Sequence, residues 1–510
     1  MTRAAGTDQK VRIPTGRNSL ATLLLFIAVL AAVRAGFLFV RMELHTGVQR
    51  FHVESAVVLF VALSLISRAL LQRPSAAAPE RSVGVPPFVA VLSAVALAFL
   101  AYGSALHVGL LSDDWVLVHR VRSADFGAVS TGLFRPVPLL VWAALLKAGG
   151  GAPALHLLNI VVHGLNAFLV YRVVAGWMHD EIVSVAAALL FLLNPLAVEP
   201  VIWCSGVFDV GALFFCLSAL LFARQETKRG FVLASVFAVL AMLSKESAVV
   251  LPGLLMVDLA IRQTATRRLA VLIGTWGLVS IAYASMRLLL AFGAVHPPLS
   301  KYVLQRALFN TFGALAVPLP SGLSPLWLAL AGVLVILLTA YLLLSNQVDT
   351  VRPILLAAWC LGCIVPVYPI LFVSPNLEGS RYLYESAVGW AALLGLAGFS
   401  RSRVVRVSGM SALCVLLAIN VLGIRRQLQA WQLAAALRDN VQAAARGNGR
   451  MQRCKIVAVT DLPDSVLGAY VLRNGGDEVL KGAGLTVGAP AEGCRFSWSL
   501  ARQQFIQREQ

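Results

Sequence analysis

Apolar runs of about 17 to 25 residues recur from Leu20 almost to Ile424, and each is long enough to cross a hydrocarbon core about 30 Å thick. Of the 510 residues, 59% are hydrophobic and 13% charged, and the mean hydropathy is +0.80. An ordinary globular domain carries roughly 25% charged residues, so a soluble fold cannot hide this much apolar surface. The chain reads as mostly membrane-embedded. The run from Leu20 to Val40 is long and has no small-residue cleavage pattern, so it reads as a retained helix rather than a removed signal peptide.

The net charge of +18 would suit a nucleic-acid partner only if the basic residues lay on one soluble face. Instead they punctuate the apolar runs, as Arg224, Lys228 and Arg229 or Arg401, Arg403 and Arg406. That is the pattern of cytoplasmic loops, and no nucleic-acid partner is expected. With the tail bearing Arg3, Lys10, Arg12 and Arg17 inside, about 13 crossings are expected, near 19–41, 53–71, 85–109, 153–176, 182–198, 207–223, 231–244, 247–261, 269–292, 325–345, 353–373, 386–400 and 408–424. The odd count puts the C-terminus outside, and the clusters at Arg73 with Arg81, at 224–229, at Arg262 with Arg267 and Arg268, and at 401–406 then fall inside. The segments 231–244 and 247–261 are short and read equally as a re-entrant hairpin.

Three parts are expected: a tail with a transmembrane hairpin (1–84), a transmembrane core (85–424) and a small extracytoplasmic domain (425–510). Two outer loops, 112–152 and 293–324, are too long for mere connections and suit helices lying in the interface plane, the second around the amphipathic stretch Lys301 to Val317. In the last segment Lys455 to Thr460 reads as a strand, with turns at Leu462 to Asp464 and Asn474 to Gly476. Five of the seven cysteines sit in or beside apolar helices as small core residues. Cys454 and Cys494 lie in the outer domain, where an oxidising compartment allows a disulfide.

The sharpest chemical signal is Ser112, Asp113, Asp114, Trp115, where the third crossing leaves the membrane. Adjacent carboxylates there lose water without an obvious partner, which calls for a role; the architectural alternative is a solvated N-cap for a helix from Trp115 to Arg122. Further polar residues collect on the same side: Arg135, His156, His163, Glu199, Asp209, Lys245, Glu246, Glu378 and Arg381. His156, Asn159 and His163 fall at i, i+3 and i+7, one helix face that has to meet protein or water. Read architecturally, that stripe is helix-to-helix glue, and Lys245 with Glu246 an ion pair at a hairpin tip. Glu199 stands in a polar break beside Asn194, Pro195 and Pro200. Neither HExxH, paired CxxC nor a phosphate-cradling Gly-rich loop occurs; no cofactor is expected, with divalent-metal dependence open.

Six short motifs then occur in one order: Phe134-Arg135-Pro136; His156-Leu157-Leu158-Asn159 with His163; Asn194-Pro195-Leu196-Ala197-Val198-Glu199; Asp209; Leu243-Ser244-Lys245-Glu246-Ser247; and Arg381-Tyr382-Leu383-Tyr384. Together they resemble the motifs of TMTC-type O-mannosyltransferases and their bacterial relatives, within the GT-C superfamily of membrane glycosyltransferases, over about residues 110 to 400. The chain departs from the pattern in having Asn194 where the family often has His, and Val207 where it often has Arg. Nor does a run of tetratricopeptide repeats follow the last helix, so a protein acceptor is not carried over.

The resemblance implies an all-α, GT-C-like polytopic fold, a polyprenyl phosphate sugar as donor, and an inverting transfer in which the acidic residue of the first outer loop is the base. An acceptor hydroxyl attacking an anomeric carbon needs a positioned carboxylate, and a departing lipid phosphate needs cationic or hydrogen-bonding partners. Asp113 is the expected base, with Asp114 its alternative or helper. Arg381 is the first candidate for the phosphate, followed by Lys245, His156 and Arg135, while His163, Glu199, Asp209 and Glu246 line the site or orient these groups. The expected setting is the outer face of a bacterial inner membrane, with a protein, lipopolysaccharide or cell-wall glycan as acceptor. A transporter or flippase of lipid-linked glycans is the rival; the lack of an internal repeat, and polar residues crowding one membrane face rather than the midplane, weigh against it.

Overall fold

The computed structural model describes residues 86–124, 134–264, 266–290, 313–319, 325–345, 351–367, 371–398, 403–488 and 494–507. The expected N-terminal tail and hairpin (1–84) lie outside these, as does most of the amphipathic stretch from Lys301 to Val317.

Helices dominate, as the apolar runs require. In chain order they are α1 (Pro87–Tyr102), α2 (Asp113–Arg122), α3 (Pro136–Lys147), α4 (Ala152–Met178), α5 (Glu181–Leu192), α6 (Val198–Ile202), α7 (Val207–Ala223), α8 (Lys228–Met242), α9 (Leu251–Arg262), α10 (Arg267–Leu290), α11 (Pro325–Ser345), α12 (Val351–Ile364), α13 (Ser386–Gly398) and α14 (Arg403–Gly447). Among the described residues four helical stretches are long and apolar enough to cross a membrane: Pro87–His107, Ala152–Met178, Cys204–Ala223 and Arg406–Gly447. A fifth is the pair Glu181–Leu192 and Pro195–Ile202, bent by 48° at the break. This is the build of a membrane protein, with four or five such spans among the described residues, which do not include the expected crossings at 19–41 and 53–71.

The differences have local causes. α12 stops at Ile364, not at the expected 373; Val365 precedes Pro366, and a residue before proline is pushed out of the helical region. α8 and α9 have 15 and 12 residues, short for full spans as the sequence suggested. The α5–α6 bend falls at Asn194-Pro195, where the Asn194 side chain accepts from the Leu196 N–H and Pro195 supplies the fixed φ of a first helical position.

α4 is the hub of the bundle, packing on α1, α5 and α7, while α13 packs on α5, α12 and α14. Its stripe of His156, Asn159, His163 and Asn166 is fully buried and works largely on backbone carbonyls. Asn159 donates to the Trp203 and Cys204 carbonyls, and Asn166 to Val210, so α4 holds the irregular chain between α6 and α7 in place. The Trp203 and Cys204 carbonyls lie in the break between α6 and α7, and the Val210 carbonyl in the first turn of α7.

α14, 45 residues long, runs without interruption through residue 425, where a new domain was expected to begin. After α15 (Gly449–Arg453) the chain forms β1 (Ala458–Thr460), β2 (Ser465–Val466), β3 (Ala469–Tyr470), α16 (Gly476–Lys481), β4 (Arg495–Ser499) and β5 (Gln504–Gln507). The sheet has the order β1-β4-β5, with β1 and β4 parallel and β4 and β5 antiparallel; β2 and β3 form a separate hairpin. A Cys454–Cys494 disulfide closes this small α/β unit. The expected strand at Lys455 to Thr460 shortens to β1.

Candidate active site

The paired carboxylates at the start of α2 have opposite surroundings. Asp114 is completely buried: one oxygen accepts from the Leu111 N–H at 3.0 Å, the other from the Ser205 N–H at 2.8 Å and the Ser205 hydroxyl. Burial pushes its carboxyl up to about 7, although these donors pull the other way, with neighbouring Asp113 adding to the rise. Asp114 therefore ties the turn before α2 to the turn before α7. Asp113 is only half-buried; its Oδ1 accepts from Asn474 Nδ2 at 2.5 Å, and no partner meets its Oδ2 among the described residues. Of the two, Asp113 is the one a substrate can reach.

The turn carrying them is strapped from beneath. His156 Nε2 donates to the Gly109 carbonyl at 3.1 Å, and Arg438 of α14 donates to the Val108 and Leu110 carbonyls at 3.0 and 2.7 Å. His156 therefore positions the turn from below. His163 is also remote from open space: one nitrogen meets the Leu192 carbonyl at 3.0 Å and the other the Tyr384 hydroxyl at 2.7 Å, among the rings of Tyr102 and Phe191. Since a carbonyl only accepts, Nε2 carries the proton and Nδ1 accepts from Tyr384. Both histidines are occupied in holding backbone and packing.

The remaining expected residues converge as three ion pairs from distant parts of the chain. Glu199 of α6 pairs with Arg381, Asp209 of α7 with Lys245, and Glu246 with Arg135. The last is bidentate, at 2.9 and 2.5 Å, the fork geometry that distinguishes arginine from lysine. Lys245 and Glu246, expected to pair with each other as the architectural alternative, both reach across to other segments. Neighbouring side chains on an extended strand point apart, and Lys245 is extended at φ −157° and ψ 143°. A further carboxylate, Glu385, is buried beside them and accepts from the Ser247 hydroxyl at 2.7 Å.

Glu199 is held by the chain on its other side. Gly379 donates its N–H to Glu199 Oε2 at 2.7 Å from a left-handed conformation, φ 85°, with Phe372 O only 2.0 Å from where a β-carbon would stand; both conditions demand glycine. The Arg381 guanidinium lies over the rings of Trp203, Tyr382 and Tyr470 at 5.1, 4.6 and 5.4 Å, an arrangement that favours a planar cation. It also donates to the Tyr470 hydroxyl at 2.6 Å and the Tyr382 hydroxyl at 3.0 Å. Trp203 joins this cluster to the carboxylate turn, its Nε1 donating to the Leu111 carbonyl at 3.2 Å. Side-chain exposure separates the cations: 18% for Arg381 and 17% for Arg135, but 6% for Lys245.

Trp203, Glu385, Asn474 and Tyr470 were not among the candidates from sequence. Tyr470 comes from β3 of the small domain, where burial raises its hydroxyl pKa first of all and Glu199 adds to the rise. Glu378, placed with the site from sequence, instead clamps that domain, accepting from Ser465 at 3.1 Å and Arg473 at 2.5 Å. Among the described residues no group of three or more His, Cys, Asp or Glu side chains is arranged to hold a metal ion.

A cluster of cations and carboxylates, walled by aromatics at one end of a helical bundle, defines a membrane protein with a polar site, and the comparisons with known proteins agree with that class. A family model described as Predicted membrane protein (DUF2079) matches residues 135–386, a span that holds all three ion pairs but neither Asp113 nor the small domain. More particularly, the chain is similar to Protein O-mannosyl-transferase Tmtc1 of Drosophila melanogaster, 27% identical over 177 residues, covering 30% of this chain and 21% of the relative. The chain thus spans about a fifth of the length of that curated relative. No solved structure matches. The likeness is that of a glycosyltransferase-like membrane protein.

Proposed function

We propose that the chain is an inverting glycosyltransferase of GT-C type that moves a sugar from a polyprenyl phosphate donor to an acceptor hydroxyl at the outer face of a bacterial inner membrane. The observation that carries this reading is the contrast within the acidic pair: Asp114 is spent on architecture, while Asp113 keeps an open oxygen on the turn that Trp203 joins to the Arg381 cluster. The similarity to a named O-mannosyltransferase supports it.

In this mechanism the acceptor hydroxyl gives its proton to Asp113 Oδ2 as its oxygen attacks the anomeric carbon. The bond from that carbon to the phosphate oxygen breaks, and the electron pair leaves with the polyprenyl phosphate. Arg381 and Arg135, the two more exposed cations, meet the growing charge. Glu199 and Glu246 keep these guanidiniums aimed, and Lys245 with Asp209 sets the floor beneath them. The acceptor is a glycan, lipid-linked or protein hydroxyl.

Asp113→Asn tests the proposal. It keeps the shape but cannot take a proton, so transfer from a short polyprenyl phosphate hexose in detergent falls about 100-fold or more while the fold survives. Near-normal transfer in that variant defeats the assignment of the base.

A further inference from the structure

We infer that Asn474, in the small C-terminal domain, is a positioning residue that aims the Asp113 carboxylate, so that this domain is part of the reactive site; the inference rests on the reading of Asp113 as the base. The contact is not an isolated surface hydrogen bond. The segment from Tyr470 to Gly475 lies directly on the turn that carries Asp113. Val471 O accepts from the Ser112 N–H at 2.9 Å, and a β-carbon on Gly475 would come within 2.1 Å of the Ser112 carbonyl, so the two backbones touch. Ser112 itself has a positive φ of 49°, a conformation unfavourable for a residue with a side chain and sustained here by its surroundings.

From that docked segment two side chains reach into the site. Tyr470 places its hydroxyl on Glu199 at 3.2 Å and on Arg381 at 2.6 Å, on the cation side. Asn474 donates to Asp113 Oδ1 at 2.5 Å, on the base side. A carboxylate on a helix N-terminus can rotate about its Cβ–Cγ bond. An amide bonded to Oδ1 fixes that rotation and leaves Oδ2 as the oxygen presented to an acceptor. The charged and titratable groups on the elements packed against α2 are Asp114, His119, Arg120 and Arg122 on α2 itself, Lys147 on α3, Cys204 in the turn before α7, and Asp477, Glu478 and Lys481 on α16, with Glu478 facing both His119 and Lys481.

The test uses the full chain purified in detergent, with Asp113→Asn as reference and Asn474→Ala and Asn474→Asp as probes; Asn474 is exposed, so both are compatible with folding. Two readouts are taken: transfer from a short polyprenyl phosphate hexose to acceptors in native membranes, and modification of Asp113 by dicyclohexylcarbodiimide, which reacts with protonated carboxyls, followed by mass spectrometry across pH. Asn474→Ala is expected to lower kcat about 10-fold with donor KM unchanged, the signature of lost orientation rather than lost binding. Asn474→Asp sets a like charge beside Asp113, and both the acid limb of kcat and the modification curve should move about one pH unit upward. Wild-type kcat and an unmoved modification curve in both variants, with Asp113→Asn inactive, overturn the inference and leave the base reading standing. Full activity in Asp113→Asn overturns the base reading instead, and the modification curve, which needs no turnover, still decides whether Asn474 acts on Asp113.

Discussion

The two ends of α7 both bury charge, and they do so in different ways. At the Arg224 end a single carboxylate, Asp258, is enclosed by Arg224 at 2.5 Å, Arg262 at 3.1 Å and Trp177 Nε1 at 2.8 Å. Arg224 also donates to the Arg172 and Val173 carbonyls, so the cluster fastens α4, α7 and α9 together. At the Asp209 end three cations are each matched to their own carboxylate, and aromatic faces stand where the first cluster has backbone. The Asp258 cluster turns its donors inward onto helix ends. The other spreads charge along a partly open wall to which a second domain contributes. Buried charge by itself thus says little about function; what its donors face separates a fastening from a site.

The largest effect that would sharpen this contrast is Asp258→Ala. It strands Arg224 and Arg262 in a buried setting and is expected to cost about 3–5 kcal/mol of stability, read as a large fall in unfolding temperature in detergent. A mild change there would break the distinction. At the other end, Arg381→Lys keeps the charge but loses the fork and the ring stacking, so donor turnover should fall about 10-fold with the unfolding temperature nearly unchanged. Full rescue by lysine would make Arg381 a mere interfacial cation.

The last effect is read against pH and concerns Asp114. Its carboxyl sits near 7 in the folded chain, against an unfolded value of 3.8. Between those two values the folded state holds the proton more tightly, so stability is greatest below about pH 4 and falls as pH rises towards 7. The unfolding temperature should therefore drop by a few degrees over that window from this group, and Asp114→Asn should flatten that part of the profile. A profile that rises through the same window in the native chain only, and not in the variant, would reverse the sign.

Much of the site could be read before the fold. Arg135, Glu199, Asp209, Lys245, Glu246 and Arg381 stand out in the sequence as polar residues collected on one side of the expected topology, and the structure brings all six together. His156 and His163 were singled out by the same signal, but their rings serve the backbone, because a polar side chain amid apolar sequence looks alike whether it meets a substrate or an orphaned carbonyl. Asn474 and Tyr470 gave no signal, since a polar residue in a polar, loop-rich domain is unremarked by composition. A Tyr between β-hairpin residues, two positions after Gly468, was the nearest thing to a hint.

By itself the sequence determined the membrane character, the approximate positions of most helices, the break at Asn194-Pro195 and the inventory of charge, because hydropathy, helical period and proline act over a few residues. The pairing was decided only in three dimensions. Which carboxylate meets which cation, 111 residues apart for Arg135 and Glu246 and 182 for Glu199 and Arg381, depends on how helices pack. The choice between Asp113 and Asp114 depended on it too: adjacent residues on a helix point about 100° apart, so one carboxylate turned into the bundle onto Ser205 and the other out towards Asn474.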